Sequence, residues 1–516
     1  MRRGIEAAAA VCLAAFGFIN IAFGQLGGGS SAPAAQPAIS IPISGRSNQN
    51  GSVTTSQAPM TGTTTTVNTI TPTVQVQGPY SGSTPGVAAK PFSGRLGLRE
   101  AVDRGLAFNL GEIEMAQAVR QTEGQARSAR SNLLPNVNGS LGETVQQSDL
   151  KAFGLRLNSP IPGFNIPAVV GPFNYFDLRA RLTQTVVDIT AKSNYRAAEE
   201  IHRAGLLSAA DARQLIVLGV GGAYLQVIAA KARIDSVRVQ LETARALYQQ
   251  TQEKRNAGVS AQLDVDRSEV ETLTQQQRLL SLQNDLAKQK INLARMTGLP
   301  PTDQYDVTDD IPYASAPALT VDDALKESFE NRSDLKAAGA QVRAGERALS
   351  AARAEQLPSL SLSGDYGVIG LNPAQSHGTF TAAASLRFPI WQGGRAGGDI
   401  EQARAALAQR QAELQDLQNQ IEADLRKTYL DLETATSQVE VARRNQQVAA
   451  EALDLTRQRF EAGVTDNVEV IQSQENVAGA QLDYINSVFA HNLAKLTLAR
   501  SIGRAAEALP DFLKLP

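Results

Sequence analysis

Ala257-Gly258-Val259-Ser260 returns 205 residues later as Ala462-Gly463-Val464-Thr465, and the register holds on both sides. Tyr224-Leu225 answers Tyr429-Leu430, Leu263-Asp264-Val265 answers Val468-Glu469-Val470, and Leu293-Ala294-Arg295 with Gly298 answers Leu498-Ala499-Arg500 with Gly503. Upstream the offset is 223, so that Ala101-Val102 matches Ala324-Leu325 and Leu134-Pro135 matches Leu357-Pro358; the 18-residue difference falls between Pro135 and Tyr224. A unit of about 200 residues that occurs twice predicts a pseudo-symmetric body.

Each copy of the turn closes a very long helical pattern. In the first repeat a helix over about 98–131 ends before Pro135, strands follow at about 136–146 and 175–186, and a helix runs from about 189 to 256 and resumes over 261–296. In the second, helices fall at about 321–356, 395–461 and 466–501, with strands at 359–369 and 379–388. Gly258 and Gly463 supply the left-handed residue that a helix reversal needs. A helix of about 67 residues is about 100 Å long at 1.5 Å per residue, far more than a compact domain requires. Small side chains such as Ala403, Ala405, Ala406 and Ala408 let such helices approach closely.

The strands alternate. Leu178, Ala180, Leu182 and Val186 are interleaved with Arg179, Arg181, Thr183 and Thr185. Leu360, Leu362, Tyr366 and Val368 alternate with Ser359, Ser361, Ser363 and Asp365, and Phe380, Ala382, Ala384 and Leu386 with Thr379, Thr381, Ser385 and Arg387. This is the period-two pattern of a strand with one apolar face, in segments of about ten residues, the length that crosses a membrane at barrel tilt. Four strands cannot close a barrel, and an open edge in lipid leaves peptide groups unpaired, so several chains would have to share one. Three chains would supply twelve strands. Trp391 and Phe388, beside Pro389, suit either an interfacial aromatic position or a packed core.

The ends and the composition narrow the class. Arg2 and Arg3, the apolar run from Ala7 to Phe23 and Ala22-Phe23-Gly24 read as a signal peptide over 1–24, whose removal would take the only cysteine, Cys12, with it. Residues 25–95 are rich in Gly, Ser, Thr and Pro and are expected to form a disordered low-complexity leader. The remaining divisions are a first repeat over 98–298, a linker over 299–319, a second repeat over 320–503 and a tail over 504–516. A net charge of −2 gives no field that would recruit nucleic acid. His202, His377 and His491 have no metal-ligand spacing, and no phosphate-binding loop of the Gly-x-x-x-x-Gly-Lys type occurs. No cofactor, metal or catalytic residue is expected.

Taken in order, these features resemble the TolC family of outer membrane efflux and secretion channels. The match rests on the tandem repeat and on Arg255-Asn256-Ala257-Gly258-Val259-Ser260 and Arg459-Phe460-Glu461-Ala462-Gly463-Val464-Thr465. Phe388-Pro389-Ile390-Trp391-Gln392-Gly393-Gly394-Arg395, leading into the second long helix, adds to it. The resemblance covers residues 98–503. It implies a mostly α chain of long antiparallel hairpins in two repeats plus four membrane strands. Three chains would form a twelve-stranded barrel in outer membrane lipid and a twelve-helix periplasmic tunnel. It further implies a passive, non-enzymatic homotrimer that serves a periplasmic adaptor and an inner membrane pump, in tripartite efflux or type I secretion.

Within that resemblance Asp264 and Glu469 match positions that often carry acidic gate residues. Two carboxylates from each of three chains would concentrate cations at a narrow mouth. The other reading pairs them with neighbours, as Asp264 with Arg267. Thr465 stands where some members carry a basic gate residue. Arg255, Gly258, Val259, Ser260, Arg459, Gly463, Val464 and Thr465 are the implied adaptor-docking turns. An exported coiled-coil scaffold without a pore is the competing function; it explains the helices but not the symmetric strands.

Overall fold

The computed structural model describes residues 52–59, 70–84, 92, 94–152, 167–302, 305–309, 313–316 and 319–513. The signal peptide reading at 1–24 and part of the loop between the first two membrane strands lie outside these residues. In the first repeat α1 (Leu98–Phe108) and α2 (Leu110–Ser131) lead to β4 (Asn136–Asp149) and β5 (Val169–Val187), then to α3 (Ile189–Asn256) and α4 (Gln262–Thr297). In the second, α5 (Val321–Asn331) and α6 (Ser333–Ala354) precede β7 (Ser359–Gly370) and β8 (Ser376–Arg387), then α7 (Arg395–Glu461) and α8 (Asn467–Ser501). A short helix, α9 (Ala505–Leu513), occupies the tail and buries Ala505, Leu509 and Leu513 in the main core. Strand β3 (Arg95–Leu96) pairs in parallel with β6 (Asp306–Val307), tying the start of one repeat to the linker.

The 98–131 and 321–356 stretches are each two helices, not one. Asn109 breaks the first with an extended backbone, and its side chain accepts a hydrogen bond from Gly111 N. Arg332 breaks the second at the equivalent position, also with extended backbone. Neither break carries Gly or Pro, so periodicity passes straight through it.

The four long strands form one antiparallel sheet in the order β4-β5-β7-β8. Cross-strand pairing places like with like. Val137 faces Leu182, Leu141 faces Leu178, Ala180 faces Tyr366, and Tyr366 faces Phe380. The opposite face pairs Asn138 with Arg181, Arg181 with Asp365, and Ser361 with Ser385. Arg179 forms ion pairs with Asp177 and Asp365 there, joining the two repeats' hairpins. The apolar face is open: Val137, Leu141 and Phe380 are 68%, 69% and 79% exposed. β5 and β8 begin earlier than alternation alone suggests: β5 continues through Gly171 and Pro172 to Val169, and β8 reaches back to Ser376. Twelve residues at about 3.3 Å, tilted about 40°, rise about 30 Å, enough for an apolar band of about 25 Å.

The helical body carries the core. One stretch of α3 is apolar enough to cross a membrane, but 72% of it is buried against the rest of the chain. Two tyrosines repeat a single contact. Tyr224 donates to Leu96 O at 2.9 Å and Asp309 Oδ2 at 2.6 Å, and Tyr429 donates to Leu319 O at 3.0 Å. Burial, with the Asp309 carboxylate beside it, raises the Tyr224 phenol well above its usual range. Arg500 of α8 reaches Asp211 of α3 at 2.5 Å, a buried bond between repeats; burial raises the Asp211 carboxyl and Arg500 opposes it.

The expectation of disorder throughout 25–95 does not hold for 52–59 and 70–84. β1 (Ser52–Pro59) and β2 (Ile70–Gln77) form an antiparallel hairpin, and Val53 and Tyr80 belong to the main core. A few apolar residues suffice because they fall into seats prepared on the helices.

Candidate functional site at the helical tip

Each long helix ends in the same six-residue motif. Val259 N donates to Lys254 O at 2.9 Å and Gly258 N to Arg255 O at 2.8 Å; Val464 N donates to Arg459 O at 2.9 Å and Gly463 N to Phe460 O at 3.2 Å. These paired bonds satisfy carbonyls at a helix end, and they need a left-handed residue next to the cap. Gly258 and Gly463 provide it at φ 78° and 73°. A hydroxyl pair then locks each hairpin: Thr251 to Ser268 at 2.7 Å and Thr456 to Ser473 at 3.2 Å.

Val259 and Val464 project from the two turns, 74% and 69% exposed, and Arg255 is also exposed. Ser260 and Thr465 are half-buried beneath them. Asp264 and Glu469 sit in the first turns of α4 and α8, each near a cation. Ser260 Oγ donates to Asp264 Oδ2 at 3.1 Å and Arg267 lies 4.0 Å away. Glu469 is 3.4 Å from Arg459. Both acids therefore have local partners, with the field of each partly neutralised inside its own chain.

Two contacts that sequence reading did not single out join the hairpins. Lys254 Nζ lies 3.7 Å from the centre of the Phe460 ring and 3.4 Å from Phe460 O. Around it Leu247, Phe460 and Val470 form a small buried cluster. Asn467, 2% exposed, donates from Nδ2 to Asp264 O at 3.0 Å. The available signal was one phenylalanine in a polar tip. Among the described residues no cluster of His, Cys, Asp or Glu could hold a metal.

A sheet with an apolar outer face and a polar inner face, carried on helical hairpins about 100 Å long, defines an outer membrane channel of the barrel-and-tunnel class. The chain belongs to the outer membrane efflux protein family, whose description matches residues 113–299 and 324–504. It is 26% identical to outer membrane protein OprJ of Pseudomonas aeruginosa, across 79% of this chain and 84% of that one. It is 23% identical to outer membrane protein TolC of Vibrio cholerae, across 74% and 84%. The fold is shared with the CmeC outer membrane channel of Campylobacter jejuni at a TM-score of 0.69 and 16% identity, covering 79% of this chain and 86% of the other. With the outer membrane protein VceC of Vibrio cholerae the TM-score is 0.68 at 17% identity, covering 79% and 96%. The protein is thus an outer membrane component of efflux, and its relatives are channel proteins rather than enzymes.

Proposed function

We propose that three copies of the chain share one twelve-stranded barrel and continue it as a twelve-helix tunnel, a passive exit duct for tripartite efflux or type I secretion. The observation that carries this reading is the sheet. Among the described residues β4 and β8 have no partner on their outer edges, and in lipid an unpaired edge is prohibitive. Pairing β8 of one copy with β4 of the next removes every edge.

The tip turns, with Arg255, Gly258, Val259, Ser260, Arg459, Gly463, Val464 and Thr465, form the docking surface for a periplasmic adaptor, and an inner membrane pump supplies the energy. Their exposed valines support that role. Asp264 and Glu469 line the mouth as gate residues, and opening requires the hairpins to part. The chain itself catalyses no reaction.

The mass of the protein extracted from the outer membrane in mild detergent tests the proposal. Three chains per particle support it. A monomer released without detergent overturns it and favours a coiled-coil scaffold without a pore.

A further inference from the structure

We propose that residues 52–59 and 70–84 form a docked clasp, and that glycines peculiar to the first repeat are its receptor. The β1-β2 hairpin lies on the helical body: Val53 is buried, and Val74 and Val76 pack against the main core. Its seat is cut by glycine. A Cβ at Gly222 would stand 2.3 Å from Val74 Cγ2, and one at Gly219 would stand 3.3 Å from Val76 Cγ2. A second notch follows. A Cβ at Gly111 would stand 2.4 Å from Tyr80 Cδ1, while the wholly buried Asn109 donates to Tyr80 O at 2.7 Å. The leader then stays fastened, with Leu110 N donating to Gly82 O at 2.9 Å and Thr84 N to Phe108 O at 3.0 Å.

The repeat itself supplies the control. At the positions matching Gly219, Gly221 and Gly222 the second repeat has Asp424, Arg426 and Lys427; matching Asn109 and Gly111 it has Arg332 and Asp334. Glycine is the costliest residue inside a helix apart from proline. Three in four positions of α3 therefore need a close approach to justify them. Gly221 has one in Leu496 of α8, whose Cδ2 would lie 2.9 Å from a Cβ there. Gly222 has the leader. Thr55 also lines a small cavity with Thr428, Leu493 and Thr497. The clasp thus bridges α3 of one repeat with α7 and α8 of the other, pinning the repeats together in the helical body.

The test is Gly222→Ala in the full chain, purified in mild detergent, read by limited proteolysis of the leader and by thermal unfolding. Helix propensity alone makes alanine stabilising. The clasp requires the reverse: a lower melting temperature and leader cleavage on the order of tenfold faster, as the segment is released. Val74→Ala removes both methyls, including the Cγ2 at 2.3 Å, and leaves only Val74 Cβ at 3.1 Å, so the double variant should be cleaved at about the rate of Val74→Ala alone. A Gly222→Ala protein that melts higher with unchanged cleavage overturns the clasp. A chain lacking 52–77 that keeps the parent melting temperature overturns the pinning role.

Discussion

Phe460→Leu should open the tip. The Phe460 ring is 9% exposed, with Lys254 Nζ 3.7 Å from its centre. Leucine keeps much of the packing against Leu247 and Val470 but removes the ring. The cation–π contact at a half-buried site contributes about 1 kcal/mol. Roughly 40 Å² of lost apolar contact at about 25 cal/mol per Å² contributes about 1 kcal/mol more. If parting of the hairpins breaks both, the sum of about 2 kcal/mol shifts the open-to-closed ratio about 30-fold. The assay is open probability of the reconstituted protein in a planar bilayer. Lys254→Met, which loses the cation and its 3.4 Å bond to Phe460 O but keeps the apolar packing, should raise that ratio at least about fivefold. The double variant should add to Phe460→Leu no more than the Lys254–Phe460 O bond, because both single variants remove the same cation–ring contact. Parent-like open probability in both single variants would refute the reasoning, since the two hairpins of one chain would then move as one body and closure would be held elsewhere.

Replacing Asp264 and Glu469 together with Ala should weaken cation selectivity and block by multivalent cations, with less than about 1 kcal/mol of stability lost, because both ion pairs are at the surface. Unchanged selectivity in bilayer reversal potentials would remove the gate assignment. Gly258→Val or Gly463→Val places a side chain at φ 78° or 73° with no atom within 4 Å of its Cβ, so the penalty is local backbone strain of about 1–2 kcal/mol. Export in cells should fall while the barrel stays inserted; normal export would show that the turns are not a critical surface. His491 should make stability pH-dependent. Burial, then the Lys495 ammonium, lowers its imidazole to about 4 from 6.5. The unfolded chain takes up the proton first as pH falls, so stability is full above about pH 6.5 and declines towards about pH 4. The ceiling is about 3 kcal/mol, and about half that with solvent screening. His491→Gln should flatten the change in melting temperature between pH 7 and 4.5; an unaltered slope would exclude His491 as its source.

What was legible in the sequence was whatever depends on near neighbours along the chain. The Ala-Gly-Val turns close on carbonyls three to five residues back, and strand alternation needs only its own two-residue period. The break at Asn109 was hidden because a tertiary partner holds it, Tyr80 O of the leader; that at Arg332 rests on an ion pair with Asp334 two residues on, which helical periodicity does not register. The leader misled for the same reason. Its composition promises no core of its own, and Val74 packs against a core whose seat at Gly222 lies far along the chain.

At the tip, similarity and difference between repeats mean different things. The positions that agree serve each hairpin internally, as the Thr251–Ser268 and Thr456–Ser473 contacts do. The contacts between hairpins fall largely where the copies disagree. Phe460 stands opposite Arg255, and Asn467 opposite Gln262. Asp466 caps α8 by accepting from Val468 N and Glu469 N, whereas Ala261 gives α4 no side-chain cap. In the proposed trimer every hairpin has one neighbour from its own chain and one from another copy. A duplicated gene with identical tips could not tell these junctions apart. Phe460 and Asn467, by engaging Lys254 and Asp264 of the same chain, make the internal junction distinct. They leave Arg255 and Gln262 as the corresponding side chains at the junction between chains, where the second half of the closing contacts is to be sought.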